Sequence, residues 1–533
     1  MSHLSQQQFT PAFSSLAVAL CIALSVTACS TLPHQQVQTP SYAHDVDTSQ
    51  TTLAHRITPL RQANPGLTGY HILYDPLEAI STRLNLINKA QKTLDLQYYI
   101  WDNDKIGALA LYDIIQAADR GVKVRLLIDD NNAKGMEGAF LALDQHQNIQ
   151  VKLYNPYRFR QFRAMDMVLD LKRINRRMHN KSFIVDNEIA LIGGRNMSDQ
   201  YYNVSDSYQF SDIDVMLVGQ AVDDISNSFD EYWNDSYAYP VRQIVNPEKH
   251  RLRYEGLKQQ LTEHYQKATV QNYLGLANRT YIFDEWMNHQ IHFEWVKAKV
   301  VKDSPAKIRD QAQGDDYLRA QLQKELISPQ HNVDIISAYF VPEKSGARAL
   351  NSMAQNGIQV RVLTNSFKAN DVWLVHAFYS KYREDLLKNN VKLYEFLPAL
   401  SGKSLNPQTE EISKKTKISL KGLSRSSLHA KLMELDQQQV FIGSFNLDPR
   451  SAKLNTEIGV VLDSPSLAKA IHDTMDQNLG LYSYTLSLTP QQQIHWERNT
   501  QYFHKVYPHE PDMKWWQKIG LKLISWLPIE GMM

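Results

Sequence analysis

Apolar and polar positions fall into regular periods from about residue 66 onward. Leu77, Ile80, Leu84, Ile87 and Ala90 recur at helical spacing, and Leu94, Leu96, Tyr98 and Ile100 then alternate as on a strand. A second helical stretch runs to Arg120, Gly121 interrupts it, and "VKVRLLID" reads as another strand. Strand, helix-length crossover, strand predicts a parallel α/β sheet.

The same order returns later in the chain. "VDIISAYFV" parallels "LDLQYYIW", "NGIQVRVLTNS" parallels "RGVKVRLLIDDNN", and "NNVKLYEF" parallels "NIQVKLYNP". Each half then carries one copy of a short pattern: "HNKSFIVD" from His179 to Asp186, and "HAKLMELD" from His429 to Asp436. Gly193 and Asn196 lie fourteen and seventeen residues after His179, and Gly443 and Asn446 stand at the same offsets after His429. An internal repeat of this kind predicts two related halves, each with one copy of the pattern.

Residues i and i+2 of a strand share a face, so His179 and Lys181 project together, as do His429 and Lys431. Asp186-Asn187 reads as a turn and "EIALIGG" as a returning strand, which puts Asp186 at a hairpin tip, bracing it rather than joining the chemistry. Gly193-Gly194 and Gly443-Ser444 let the chain bend there, bringing Asn196 and Asn446 back toward the histidine and lysine. Two histidines, two lysines and two amides suit a phosphodiester. The cations and amides stabilise charge growing on the nonbridging oxygens, one neutral histidine attacks phosphorus, and the other moves the proton of the leaving and entering alcohols. No metal or other cofactor is called for. Asp214 in "FSDIDVMLVG" and Glu457 in "LNTEIGVVLD" each precede an apolar strand, and each is expected to hold a histidine ring through its second nitrogen. His376 falls on a helical pattern as a packing residue, and Asp129 and Asp130 stand at a strand end, where a ligand contact and a turn or cap are both open.

These residues resemble the duplicated HxKxxxxD…GxxN motif of the phospholipase D superfamily. "LQYYIWDNDKIG", "AADRGVKVRLLIDD", "NSFKANDVWLVHAFYSKYREDLL" and "GSFNLDPRSAKLNTEIGVV" resemble its bacterial cardiolipin synthase branch, and the NSxxxxD…VHxxY…YRxxLL segment resembles the C-type members. The resemblance implies an α/β fold of two phospholipase D-like lobes related by a pseudo-twofold axis, with a single active site at their interface. It implies His179, Lys181, Asp186, Asn196, His429, Lys431, Asp436 and Asn446 as the motif set, with His179 as the nucleophile. It further implies a phosphatidyl donor, phosphatidylethanolamine or phosphatidylglycerol, and phosphatidylglycerol as acceptor. A phospholipid hydrolase, a nuclease and a non-catalytic envelope scaffold are the rival functions. A net charge of +1 supplies no broad field for nucleic acid, so none is expected as a partner.

The expected organisation is a signal peptide over 1–29, a flexible tether over 30–65, a first lobe over 66–240, a helical linking insertion over 241–325, a second lobe over 326–490 and an amphipathic tail over 491–533. The two cysteines, Cys21 and Cys29, both lie in or at the end of the apolar N-terminal run, so no disulfide framework or cysteine metal site is available to the body. "VTAC" resembles a bacterial lipobox, with Cys29 as the lipidated residue; an uncleaved anchor is the alternative. This places the protein at the bacterial envelope membrane, facing the periplasm, with membrane phospholipids as partners and an accessory protein as a further one. Arg158, Arg160, Arg163, Lys172, Arg173, Arg176 and Arg177, interleaved with Phe, Met and Leu, read as a contact for an anionic membrane surface or as a solvated loop. "KWWQKIGLKLISWLP", with Trp515, Trp516 and Trp526, reads as an interfacial helix or as one packed on the body.

Overall fold

The structure is a computed structural model that describes residues 32–33, 39–204, 210–288, 290–397, 427–500 and 503–532. The signal-peptide segment with Cys21 and Cys29, and residues 398–426 of the second lobe, lie outside the described residues.

Among the described residues two large sheets dominate, of nine and ten strands. Each is built on a parallel triplet joined by helices: Thr93–Tyr98, Lys123–Asp129 and Ile149–Tyr154 in the first, Asn332–Ser337, Gln359–Asn365 and Lys392–Phe396 in the second. Beside each triplet lies the antiparallel hairpin that carries the repeated pattern, Ser182–Val185 with Ile189–Gly193 and Lys431–Leu435 with Gln439–Gly443. The crossover helices start where the sequence supplies caps. Asp75 accepts from Leu77 and Glu78 ahead of Pro76–Lys89, and Asp104 accepts from Gly107 ahead of Lys105–Asp119. Leu94, Leu96 and Tyr98 are buried on one side of their strand against Ile80, Leu84, Ile87, Leu109 and Ile114 of these helices.

Two boundaries differ from the expectation. The segment taken as tether contains the helix Thr52–Ala63, which buries Leu53, Ala54 and Ile57. Ahead of it the Ala43 N–H donates to Asp230 and Arg125 donates to the Ser41 carbonyl. Buried polar groups hold this segment, and apolar periodicity is blind to them. At the other end, Ile494–Thr500 and Phe503–Tyr507 extend the second sheet, so that lobe runs on to Tyr507 before the tail helix Trp515–Ser525.

The linking insertion does more than connect. Its helices Tyr254–Tyr265, Ala268–Ala277 and Tyr281–Asn288 add Leu257, Leu261, Val270, Ile282 and Trp286 to the first lobe's core. Glu294–Val296 then pairs at the edge of the first sheet and Ala298–Lys302 at the edge of the second, so one extended segment stitches the sheets together.

Candidate active site

The two halves meet by exchanging backbone hydrogen bonds just ahead of each histidine. His179 N donates to Thr456 O at 2.9 Å and Thr456 N donates to Arg177 O at 2.9 Å. His429 N donates to Ser211 O at 2.7 Å, and Ser427–Leu428 pairs in parallel with Phe210–Ser211. Each histidine is therefore delivered to the carboxylate of the other half. His179 Nδ1 lies 2.8 Å from Glu457 Oε2, and His429 Nδ1 lies 2.5 Å from Asp212 Oδ2. All four side chains are buried.

Asp214, expected to orient a histidine, does not. It pairs with the buried Arg83 at 2.8 Å and Arg195 at 3.3 Å. The equivalence of the halves runs through Asp212. Gly193 pairs with Asp214 and Gly443 with Gly459, and the residue two before each partner is Asp212 or Glu457. The sequence carried a signal for this: Asp212-Ile213 and Glu457-Ile458 stand at matching distances from the apolar runs that follow. The glycines serve these carboxylates. A Cβ at Gly194 would lie 2.2 Å from Asp212 Oδ1, and one at Gly193 2.2 Å from Asp214 Oδ1. In the second half the place of Gly194 is taken by Ser444, whose hydroxyl donates to Glu457 at 2.5 Å while Ser451 donates at 2.9 Å. The Glu457 N–H donates to Asp303 Oδ2 at 2.9 Å, so the linking insertion helps to position this carboxylate. Ser444 lies inside the repeated pattern, where the sequence reads only as a bend, and Ser451 and Asp303 lie outside it.

Lys181 donates to the His179 carbonyl at 2.7 Å, and Lys431 donates to the His429 carbonyl with Nζ 3.0 Å from the ring. Burial lowers both lysines, Lys181 to about 7. Burial also lowers both histidines to about 4, against the pull of Glu457 on His179 and, with Lys431 adding to the drop, against that of Asp212 on His429. Burial alone would raise the two carboxylates, but the histidine and lysine beside each hold it below its usual range. Burial thus favours neutral imidazoles, each presenting Nε2 when Nδ1–H donates to its carboxylate. Tyr99 meets the His179 ring edge-on at 4.9 Å, and Tyr201 and Phe210 pack on His429 at 5.2 and 4.8 Å.

The two asparagines differ. Asn196 is committed to the protein: it accepts from Ile100 N at 3.0 Å and donates to the Tyr201 hydroxyl at 2.8 Å. Asn446 Oδ1 is buried without a hydrogen-bond partner among the described residues. Asp186 and Asp436 lie at the far ends of the hairpins. Asp186 accepts from the backbone of Gln91, Lys92 and Thr93, and Asp436 from that of Gln330, His331 and Asn332. They tie the hairpin tips to the start of the neighbouring parallel strand and touch nothing at the histidines. His376 is buried against Glu510 and Arg383.

The arginines expected at a membrane surface or in a solvated loop are turned inward. Arg160 and Arg163 bond to Asp130 and its neighbours, Arg158 and Arg173 to Asp170, Arg176 to Asp310, and the buried Arg177 to Asp129. The acidic strand end Asp129-Asp130 lies directly beneath this segment and takes up its cations, so it makes a turn with internal ion pairs. Phe162, Met167, Val168 and Leu169 face outward, beside the exposed Lys172, which pairs with Asp310. On the tail helix Trp515, Trp516, Ile519, Leu523 and Trp526 are exposed. No helix among the described residues is long and apolar enough to cross a membrane. One cluster of metal-type donors does assemble among them, Asp334, Glu434 and His472. Arg361 bonds to both Asp334 and His472, putting a guanidinium where a cation would bind.

The fold and the paired histidines define a two-lobed α/β enzyme with one composite site shared by both halves. The family model for the cardiolipin synthase, PLD-like domain matches residues 84–233 and 322–479. Cardiolipin synthase C of Escherichia coli is 36% identical over 90% of this chain and 99% of its own length. A cardiolipin synthase of a Geobacillus species is 24% identical over 80% of this chain and 68% of its own. Among solved structures, phosphatidylserine synthase of Haemophilus influenzae superposes with a TM-score of 0.52 at 14% identity, covering 88% of this chain and 96% of that one. The chain belongs to the cardiolipin synthase family of phospholipase D-like enzymes, which are phosphatidyltransferases.

Proposed function

We propose that the protein forms cardiolipin by transesterification, with phosphatidylglycerol as acceptor and phosphatidylethanolamine or phosphatidylglycerol as donor. His179 Nε2 attacks the donor phosphorus, the bond to the headgroup oxygen breaks, and His429 gives that oxygen its proton. A phosphatidylated His179 results. His429 then takes the proton of a phosphatidylglycerol hydroxyl, which attacks phosphorus and releases His179. Lys181, Lys431 and the Asn446 amide stabilise charge on the nonbridging oxygens. The observation that carries this reading is the crossed pairing of His179 with Glu457 and His429 with Asp212, which fixes both rings at one interface. The anionic phosphodiester favours the charged form of an adjacent imidazole; in this reading His429 takes up a proton from solvent at Nε2 as the donor binds, and that is the proton it gives to the headgroup oxygen.

Transfer to an alcohol requires a mouth that excludes water. Arg450, on the helix Pro449–Lys453 just after Asn446, bonds to Asn175, next to the segment that exposes Phe162 and Val168. The same helix packs against Glu530–Met532, which follows the tail helix. The two exposed apolar segments thus flank the chain leaving Asn446, and in this reading they dip into the lipid surface. Lipidation at Cys29, on the periplasmic side of the envelope, supplies the further anchor. Lipid profiling of cells with and without the gene tests the function: cardiolipin should fall in its absence. Unchanged cardiolipin in cells lacking every other cardiolipin-forming enzyme contradicts it.

A further inference from the structure

The pseudo-twofold axis relates two spaces behind the histidine strands, and the protein treats them differently. Behind the first strand the space is filled and polar. Asn180 accepts from Thr456 at 2.7 Å, and Tyr232, reaching in beside Asn180 and Thr456, donates to the Asp303 carbonyl at 2.7 Å. Lys307 donates to the Ser451 carbonyl at 2.7 Å and lies 2.9 Å from Asp303. The equivalents of Met178, Asn180 and Ser182 in the second half are Leu428, Ala430 and Leu432. Behind them a cavity remains, walled mainly by apolar side chains, with Tyr74, Thr474, Asn478 and Tyr482 also at its edge.

Its walls are Leu428, Ala430 and Leu432 on one side and Ile471, Met475 and Leu479 of the helix Pro465–Tyr482 on the other. Ile213, Ile336, Leu363 and Phe396 close the sides. Its volume is about 100 Å³. Ser211 and Asp212 form the wall nearest the reacting groups, and Asp212 is the carboxylate that holds His429. A space lined this way favours an apolar guest over water, because water needs several polar partners to enter.

We propose that this cavity takes an acyl chain of the phospholipid whose phosphodiester is bound at His179 and His429. The proposal rests on the phosphatidyltransferase reading above. It gives a reason for the asymmetry: the first half's polar filling supports Glu457, while the second half's counterpart is left open and apolar to hold a lipid tail. Chain occupancy beside Asp212 also ties acyl length to the seating of the phosphate.

The test uses the full-length protein in vesicles of phosphatidylethanolamine and phosphatidylglycerol, run once with a fraction of the phosphatidylethanolamine and once with a fraction of the phosphatidylglycerol carrying a photoreactive diazirine along one acyl chain. Irradiation followed by peptide mapping should place cross-links at Met475, Leu479 or Leu428–Leu432. Cross-links confined to the tail helix or to the Phe162–Leu171 segment, or none at all, overturn the proposal. Met475→Trp, which narrows the core, should lower the preference for long-chain over short-chain substrate in kcat/KM by about tenfold, the effect of excluding about two methylenes. An unchanged preference with unchanged cross-links also overturns it. A protein that cross-links in the cavity yet turns over no phospholipid keeps the cavity assignment and fails the phosphatidyltransferase reading, so the two failures are distinguishable.

Discussion

Glu457 Oε2 stands 2.8 Å from His179 Nδ1 across 278 residues of chain, and Asp212 repeats the relationship with His429 in the opposite direction. Neither half contains a complete histidine–carboxylate pair. The site therefore exists only when both lobes are folded and joined, which accounts for the tightness of the interface: His179 and His429 are anchored by backbone as well as side chain to the opposite half.

The crossed pairing separates two aspartates that lie two residues apart. His179→Ala and His429→Ala should each abolish turnover. Asp212→Asn and Glu457→Gln should cost about 10²- to 10⁴-fold in kcat with a folded protein, as expected when a ring loses the carboxylate that sets its tautomer. Asp214→Asn should instead cost stability, about 3–5 kcal/mol, because it leaves the buried Arg83 and Arg195 short of a counter-charge. Denaturant melts beside steady-state rates check both. A stable Asp214→Asn protein with a lost kcat would contradict the assignment.

The buried histidines predict a pH dependence. Their folded pKa of about 4 lies below the ordinary 6.5, so between these values the unfolded chain takes up protons that the native one does not. Stability should fall as pH drops through that window. Thermal unfolding from pH 7 to 4 should show a slope that shrinks in the His179→Ala and His429→Ala variants. An equal slope in both variants would place the titrating groups elsewhere.

Turnover should persist in EDTA. The groups that converge on the histidines are lysines, amides and two carboxylates already paired with the rings, and the Asp334, Glu434 and His472 cluster has its cation in Arg361. Complete loss of activity, restored by one specific divalent ion, would contradict a two-histidine mechanism.

The surface groups divide in the same way. Replacing Trp515, Trp516 and Trp526 together by Ala should weaken vesicle binding by more than about tenfold, since each buries on the order of 1.5–3 kcal/mol of apolar surface when it enters lipid. Arg160→Ala should lower the melting temperature with little effect on vesicle binding, because its partners are Asp130 and Glu137 rather than lipid. Sedimentation with liposomes measures the first and differential scanning fluorimetry the second. Equal vesicle binding by the triple variant would remove the tail helix from the docking surface.

The repeat made much of this legible in advance. Alternation and helical spacing gave the strands and crossovers of both lobes, and the repeated pattern gave His179, Lys181, His429 and Lys431 at one place. Spacing could not show that the halves trade carboxylates. Asp212 and Asp214 both precede an apolar strand; the distance to that strand matches Glu457 for Asp212, and the pairing of Gly193 with Asp214 fixes the equivalence. The arginines of residues 158–177 misled for a related reason. Composition records charge, whereas Asp129, Asp130 and Glu137, brought beneath them by the fold, decide which way the cations turn. Residues 41–45 were missed because polar contacts to Arg125 and Asp230, not apolar periodicity, hold them.

The most direct test of the central claim is the product made from mixed vesicles. Transfer and hydrolysis pass through the same phosphatidylated histidine, and the product depends on whether a lipid hydroxyl or water, at about 55 M, reaches it first. Purified full-length protein in vesicles of phosphatidylethanolamine and phosphatidylglycerol should yield cardiolipin in preference to phosphatidic acid. Removing the residues after 510 should shift the ratio toward phosphatidic acid rather than merely slow both. Phosphatidic acid alone at every phosphatidylglycerol fraction, even with native membranes added, would show a hydrolase and contradict the account.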